Sequence, residues 1–231
     1  MRQHQKGPPP PELARYTKNP AVTWSACKDK PALRRALFAE QHGLCAYCLS
    51  ALARPDRDPH PLPEEGGMKI EHWRARNEPG IDATERHQRS FSWQNLLAVC
   101  PGGVTRRPAD GARPKRRPLL HCDAFRQDAP LPRSPAEPSH RVEHLFTLSV
   151  VGELLIAPGL TPDDQRDAEA LRDALNLNAP RLVAQRASEV LALLSLLGAG
   201  TAISTVRAAL HQPDAYGALP AYCTLLVPLL P

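Results

Sequence analysis

The chain has 231 residues, of which 42% are hydrophobic, only 5% are aromatic and 26 are proline. That length accommodates one large domain or a small core with helical flanks, and the prolines favour long irregular connections over a compact sheet protein. The formal net charge of +5 and a pI near 9.0 fit a polyanionic partner such as nucleic acid, although charge of this size alone names no partner.

The first ten residues are polar and proline-rich, with no apolar stretch of the kind a secretory leader carries. The most apolar run, residues 190–203, is interrupted by Gly198 and Gly200. It is shorter than the roughly 20 apolar residues a membrane span requires, and reads as a buried core helix. The expectation is a cytoplasmic protein with no membrane segment. In that reducing compartment the six cysteines are expected as thiols, so their spacing points to metal.

In chain order, residues 1–30 read as an irregular arm, with Trp24 as an anchor and the proline run 8–11 excluded from helix. A helix is predicted over 32–41, behind Pro31 and before Gly43, with Leu33, Ala36 and Leu37 on one face. A proline-rich loop covers 54–67. Residues 68–73 alternate as a short strand, with Met68, Ile70 and His72 set against Lys69, Glu71 and Trp73. A second short apolar segment spans 92–100, a basic loop 101–120, and one or two helical turns 122–128.

Residues 144–156 have the composition of a hairpin turning near Gly152-Glu153. Thr161-Pro162-Asp163-Asp164 is a helix start, with a hydroxyl cap, proline in the first turn and acids at the positive dipole end. That helix is expected to reach about 175. Another is predicted over 180–197, with Val190, Leu193, Leu194 and Leu197 as its stripe, and a shorter one through 210. The organisation expected is an arm (1–30), a core (31–130), and a hairpin with helices (131–231) that offers a docking surface.

The first chemical signal is Leu44-Cys45-Ala46-Tyr47-Cys48. Two thiolates separated by two residues can share one tetrahedral zinc ion. The motif follows a helix and precedes a proline-rich loop, which is not the strand-to-helix setting of a redox pair. Cys100 and Cys122 are the natural remaining ligands, with His121 competing for the place of Cys122. Cys27 and Cys223 lie outside the cluster and read as incidental buried thiols.

The second signal is Glu71-His72, followed by Asn95 and Asp123. Phosphodiester hydrolysis needs a base for water and a counter-charge for the phosphorane and the leaving oxygen. Histidine suits the first task. A divalent ion on carboxylates suits the second, and Mg²⁺ needs few protein ligands. Each residue alone is ordinary: a Glu-His pair is commonly surface polarity, and Asn95 or Asp123 a helix cap. Their order relative to the cysteines changes their weight.

That order resembles the HNH (ββα-metal) nuclease family. The segments 70–76 (Ile-Glu-His-Trp-Arg-Ala-Arg), 93–100 (Trp-Gln-Asn-Leu-Leu-Ala-Val-Cys) and His121-Cys122-Asp123, with Glu40-Gln41 before the first cysteines, are similar to the nuclease subunit of Septu-type antiphage systems and to retron-associated HNH proteins. Gly152-Glu153-Leu154, and Leu175-Asn176-Leu177-Asn178 with Leu182 and Arg186, extend the likeness to about residue 190.

The resemblance implies an α+β, mostly helical fold: a small zinc-stabilised ββα-metal core with helical flanks at both ends. It implies a structural Zn²⁺ on Cys45, Cys48, Cys100 and Cys122. His72 would be the general base, Glu71 and Asp123 the ligands of a catalytic Mg²⁺ or Mn²⁺, and Asn95 would orient the base. It also implies DNA cleavage in antiphage defence, alongside an ATPase partner of the ABC or AAA type.

The sequence departs from the family pattern at Asp123, where a His or Asn is usual, and at Arg126, the nearest basic residue to the family's lysine. A long insertion carries Arg106, Arg107, Arg113, Lys115, Arg116 and Arg117 against Asp110 alone. With Arg74, Arg76 and Arg126 these are the candidate nucleic-acid contacts. A zinc module that binds nucleic acid or protein without cutting, and a nuclease acting on RNA or tRNA, remain alternatives.

Overall fold

In the computed structural model, which describes residues 1–53, 67–103 and 119–231, short helices surround two small hairpins in an α+β, mostly helical arrangement. The basic residues Arg106, Arg107, Arg113, Lys115, Arg116 and Arg117, and nearly all of the proline-rich loop expected at 54–67, lie outside the described residues.

The amino-terminal stretch corrects the expectation of an irregular arm. It contains helix α1 (Pro11–Thr17), which places Pro11 in its first turn and buries Leu13 and Tyr16 one turn apart. Proline blocks a helix interior but not its first position, where the missing N–H has no partner to lose. A single 3-10 turn, Trp24–Ala26, leads on toward helix α2 (Lys30–Glu40). Helix α2 buries Leu33, Leu37 and Phe38 and ends ahead of Gly43, whose φ is 67°.

Strand β1 (Lys69–His72) pairs antiparallel with β2 (Leu96–Val99), with Glu71 opposite Leu97 and His72 opposite Leu96. Between them lies helix α3 (Ala83–Phe91), which the apolar periodicity did not predict. Only Ser90 and Phe91 of it are buried, so it carries no apolar stripe; its start is fixed by Asp82, whose Oδ1 accepts the Glu85 N–H at 2.8 Å. Helix α4 (Cys122–Arg126) follows the second undescribed stretch.

Strands β3 (Phe146–Leu148) and β4 (Leu154–Ile156) form the expected hairpin. Helix α5 (Pro162–Ala174) begins at the expected cap, with Thr161 Oγ1 accepting from the Asp164 N–H at 3.1 Å. Helices α6 (Pro180–Gly198), α7 (Ile203–His211) and α8 (Cys223–Leu226) complete the chain. One cluster of buried side chains runs from Met1 to Leu230, so all three expected stretches contribute to a common core.

Helix α6 is not the buried core helix expected from its composition. Val190 and Leu193 are buried, while Leu191, Leu194 and Leu196 are 66%, 49% and 50% exposed. Among the described residues, no helix is long and apolar enough to cross a membrane.

The residues singled out around 152 and 175–186 meet at one junction. Arg186 is fully buried; its Nε donates to the Gly152 carbonyl (2.8 Å), and its Nη2 to the Leu177 carbonyl (2.8 Å) and Asn178 Oδ1 (3.0 Å). Asn178 in turn clasps both the N–H and the carbonyl of Leu154. A Cβ on Gly152 would collide with the Val183 carbonyl, so the hairpin turn can seat on α6 only without a side chain there. The same segment reaches back to the cysteines, since the Leu175 carbonyl accepts the Cys122 N–H (2.8 Å) and Asn176 Nδ2 donates to the Leu120 carbonyl (2.7 Å).

Candidate metal centre and the adjoining acidic site

The first cysteine pair sits in a tight turn after α2. The Cys45 N–H donates to the Ser50 carbonyl (2.9 Å) and the Leu49 N–H to the Cys45 carbonyl (3.0 Å), with Leu49 at φ 65°. Gln41 staples this turn to β2 and is itself fully buried. Its Nε2 donates to the carbonyls of Leu44 (3.0 Å) and Ala98 (2.8 Å), and its Oε1 accepts from the Ala98 N–H (2.7 Å). Cys100 leaves the end of β2. Cys122 opens α4 with φ 52°.

These four sulfurs, all buried, lie within 4.8 Å of one another. Cys45 and Cys122 are 4.0 Å apart, and Cys48 and Cys100 3.8 Å. Zn–S bonds of about 2.3 Å in a tetrahedron separate sulfurs by roughly 3.8 Å, whereas a disulfide needs about 2.0 Å. All six cysteines are free thiols. Burial, and then hydrogen bonding with Cys100, Cys45 and Cys48, push the Cys122 thiol well above the ordinary thiol range. Four buried sulfurs at this spacing form a cluster that could bind a metal such as zinc.

His121 stands beside the cluster, its Nδ1 3.4 Å from the Cys122 sulfur and 3.8 Å from that of Cys100. It is placed to hydrogen-bond these sulfurs, as Ser50 Oγ does for Cys48 at 3.1 Å. The His121 N–H donates to the Gly102 carbonyl (3.0 Å), and a Cβ on Gly102 would strike the His121 carbonyl and Ala124. Gly102 (φ 70°) therefore lets the two halves of the cluster close.

Next to the cysteines lies an acidic site. Glu71 is buried on β1, and Arg126, with a fully buried side chain, pairs with it through Nη1. The same nitrogen donates to Tyr47 Oη (3.2 Å) and the His72 carbonyl (3.3 Å), Nη2 donates to the Trp73 carbonyl, and Nε to the Ala129 carbonyl (2.6 Å). Arg126 was expected as a nucleic-acid contact; its burial and its ring of internal acceptors correct that. Tyr47, inside the first cysteine pair, thus connects the cluster to Glu71.

Asp123 approaches Glu71 from the start of α4, and Lys69 Nζ lies 3.6 Å from its Oδ2. Burial, and then the charge of Asp123, push the Glu71 carboxyl well above the usual carboxylate range, against the pull of Arg126. Two carboxyl groups so close share a proton or a cation. The cations already beside them are the Arg126 guanidinium at Glu71 and the Lys69 ammonium at Asp123.

His72 alternates from Glu71 to the other side of β1. Its Nε2–H donates to the Ser90 carbonyl (3.1 Å), which leaves the imidazole lone pair on Nδ1. The ring meets the Trp24 indole edge-on, with centroids 4.6 Å apart and planes at 87°. Burial, and then Arg76, lower its pKa to about 3, so the ring is neutral near neutral pH.

Among the described residues, Asn95 makes its hydrogen bonds away from the His72 ring. Its side chain accepts from the Arg74 N–H (2.7 Å) and donates to the carbonyls of Arg74 (3.1 Å) and Arg89 (2.7 Å), while its own carbonyl accepts the Trp73 N–H (3.0 Å). It locks the chain leaving β1 against the end of α3, the helix that carries Ser90. Arg74 is exposed and lies over the Trp73 ring. Arg76 is half-buried near Trp24.

The sequence reading missed Tyr47, Gln41, Ser90 and Trp24 as parts of this site. Tyr47 and Gln41 had a signal in their proximity to the cysteines; Ser90 acts through its backbone and had none. No protein-family model matches the chain, and no curated protein does.

Proposed function

We propose that this protein is a metal-dependent endonuclease of the HNH type, cytoplasmic, with a structural zinc ion and a catalytic Mg²⁺ or Mn²⁺. The observation that carries the reading is the Glu71–Asp123 carboxyl pair, tied to the cysteine cluster through Tyr47 and Arg126, with an oriented neutral histidine at the next position of the strand. The family resemblance of the sequence supports it. DNA is the substrate proposed, with RNA as the variant of the same chemistry.

In this reading Glu71 and Asp123 hold the divalent ion, which when bound supplies counter-charge for the phosphate and the leaving oxygen. His72 accepts at Nδ1 the proton of the attacking water as the new O–P bond forms and the bond to the 3′-oxygen breaks. The Ser90 carbonyl stabilises the imidazolium that results, and Asn95 keeps that carbonyl in place. An ATPase subunit restraining or directing cleavage is the partner proposed on the resemblance. The exposed leucines of α6 are the face offered to it, and co-purification of the two co-expressed chains tests this.

A plasmid-nicking assay with Mg²⁺ or Mn²⁺ is the test of the reaction. His72→Ala is expected to lower the rate by about a hundredfold or more. Equal metal-dependent cleavage by wild type and variant would remove His72 from the reaction. The second reading is a zinc module that binds nucleic acid without cutting. The Arg126–Glu71 pair favours it, because a guanidinium already neutralises the carboxylate. Absence of cleavage by the protein with its ATPase would select it.

A further inference from the structure

Three groups from separate parts of the chain converge beside His72. Trp24 belongs to the 3-10 turn, Lys30 to the first turn of α2, and Arg76 to the segment after β1. Lys30 Nζ lies 5.5 Å from the centre of the Trp24 ring and the Arg76 guanidinium carbon 5.9 Å from it. An aromatic face holds a cation by its quadrupole, so one indole can gather two like charges that would otherwise separate. The same indole is the ring in contact with His72.

The charge gathered here is poorly compensated. Among the described residues, neither Lys30 nor Arg76 has a carboxylate within ion-pair distance. Burial lowers the pKa of both; at Lys30 the Cys27 sulfur opposes this and Arg34 and Arg76 add repulsion, while Glu71 and Asp128 act on Arg76 only as more distant charges. Lys30 also sits at the positive end of a helix, where a cation is disfavoured. Both residues are half-exposed, which leaves the pair open to an anion from solvent.

We propose that Lys30 and Arg76, gathered on the Trp24 ring, form a clamp for the backbone phosphates of a nucleic-acid strand beside His72. The inference rests on the nuclease reading for the identity of the anion, but it concerns binding and needs no cleavage. Lys30 and Arg76 contact the phosphates; Trp24 is a positioning residue that keeps the two cations together and next to the base.

Anisotropy of fluorescein-labelled single-stranded and duplex DNA, without added divalent ion and across a sodium chloride series, tests it. The Lys30→Gln/Arg76→Gln variant is expected to bind about tenfold or more weakly and to flatten the log–log salt slope by about two. Trp24→Ala should weaken binding and Trp24→Phe restore it, since any aromatic face serves. Folding of the Lys30 variant is not at risk, because removing a cation from a helix start is favourable.

An unchanged slope in the double variant, or no binding of either DNA by wild type, overturns the clamp. Binding lost with the clamp in a protein that never cuts would remove the nuclease reading and leave the clamp. Cleavage with unchanged KM in the double variant would do the reverse.

Discussion

Arg126 illustrates how much one side chain can determine here. Its side chain has no exposed surface, donates to three backbone carbonyls and a tyrosine hydroxyl, and forms a buried ion pair with Glu71. Removing one partner of such a pair strands the other charge, at a cost of about 3–5 kcal/mol, while replacing both by apolar groups is close to neutral. Arg126→Leu is therefore expected to lose about 3–5 kcal/mol in urea denaturation, and Arg126→Leu/Glu71→Leu to recover part of it. Additive losses would show that the pair is not the source of the stability. Nothing in the sequence separates Arg126 from Arg74 or Arg76; only the return of α4 across the end of β1 buries the first and leaves Arg74 exposed.

At the level of elements, the cysteine cluster is a joint of three pieces: the turn after α2, the end of β2 and the start of α4. Cys122→Ser removes one of the four sulfurs and leaves His121 Nδ1 as a neighbouring donor. Wild type is expected to carry about one zinc ion per chain in native mass spectrometry, and the variant to lose it and to melt well below wild type. Full zinc occupancy in Cys122→Ser would point to His121 as the fourth ligand.

The pieces differed in how well the sequence announced them. Helix α5 was legible because Thr161, Pro162 and two acids each favour the same start, and the β3–β4 hairpin because its turn and its apolar strands agree. Helix α3 was not, since it buries almost nothing; its signal was the Asp82–Glu85 cap, not periodicity. The four cysteines were legible as a set from spacing and order. The ring that joins them to the acidic site was hidden, because Tyr47, Arg126 and Ser90 acquire their roles only through tertiary contact.

Across the whole molecule, the amino-terminal stretch is structural. His4 is buried within the fold, with neither ring nitrogen hydrogen-bonded among the described residues, and its backbone N–H donates to the Pro135 carbonyl (2.7 Å). Burial, and then Arg2 and Lys6, lower the His4 pKa from 6.5 to about 3. As pH falls through this window the unfolded chain takes up the proton first, so stability is intact above about 6.5 and is lost progressively toward 3. His4→Leu should flatten that acid limb in pH-dependent denaturation, by an amount on the order of a few kcal/mol. An unchanged limb would place its origin in other groups.

The turn that carries Cys45 and Cys48 is covered by residues far along the chain: the Leu219 N–H donates to the His42 carbonyl (2.9 Å) and the Tyr222 N–H to that of Leu49 (3.0 Å). During synthesis, a nascent chain emerged only as far as Leu175 would have every sulfur ligand and both carboxylates, yet lack this cover. Such distant pairings form late, after the loop-closure entropy of the intervening chain has been overcome. The cysteine turn would thus stay uncovered on the ribosome until residues 219–222 had emerged.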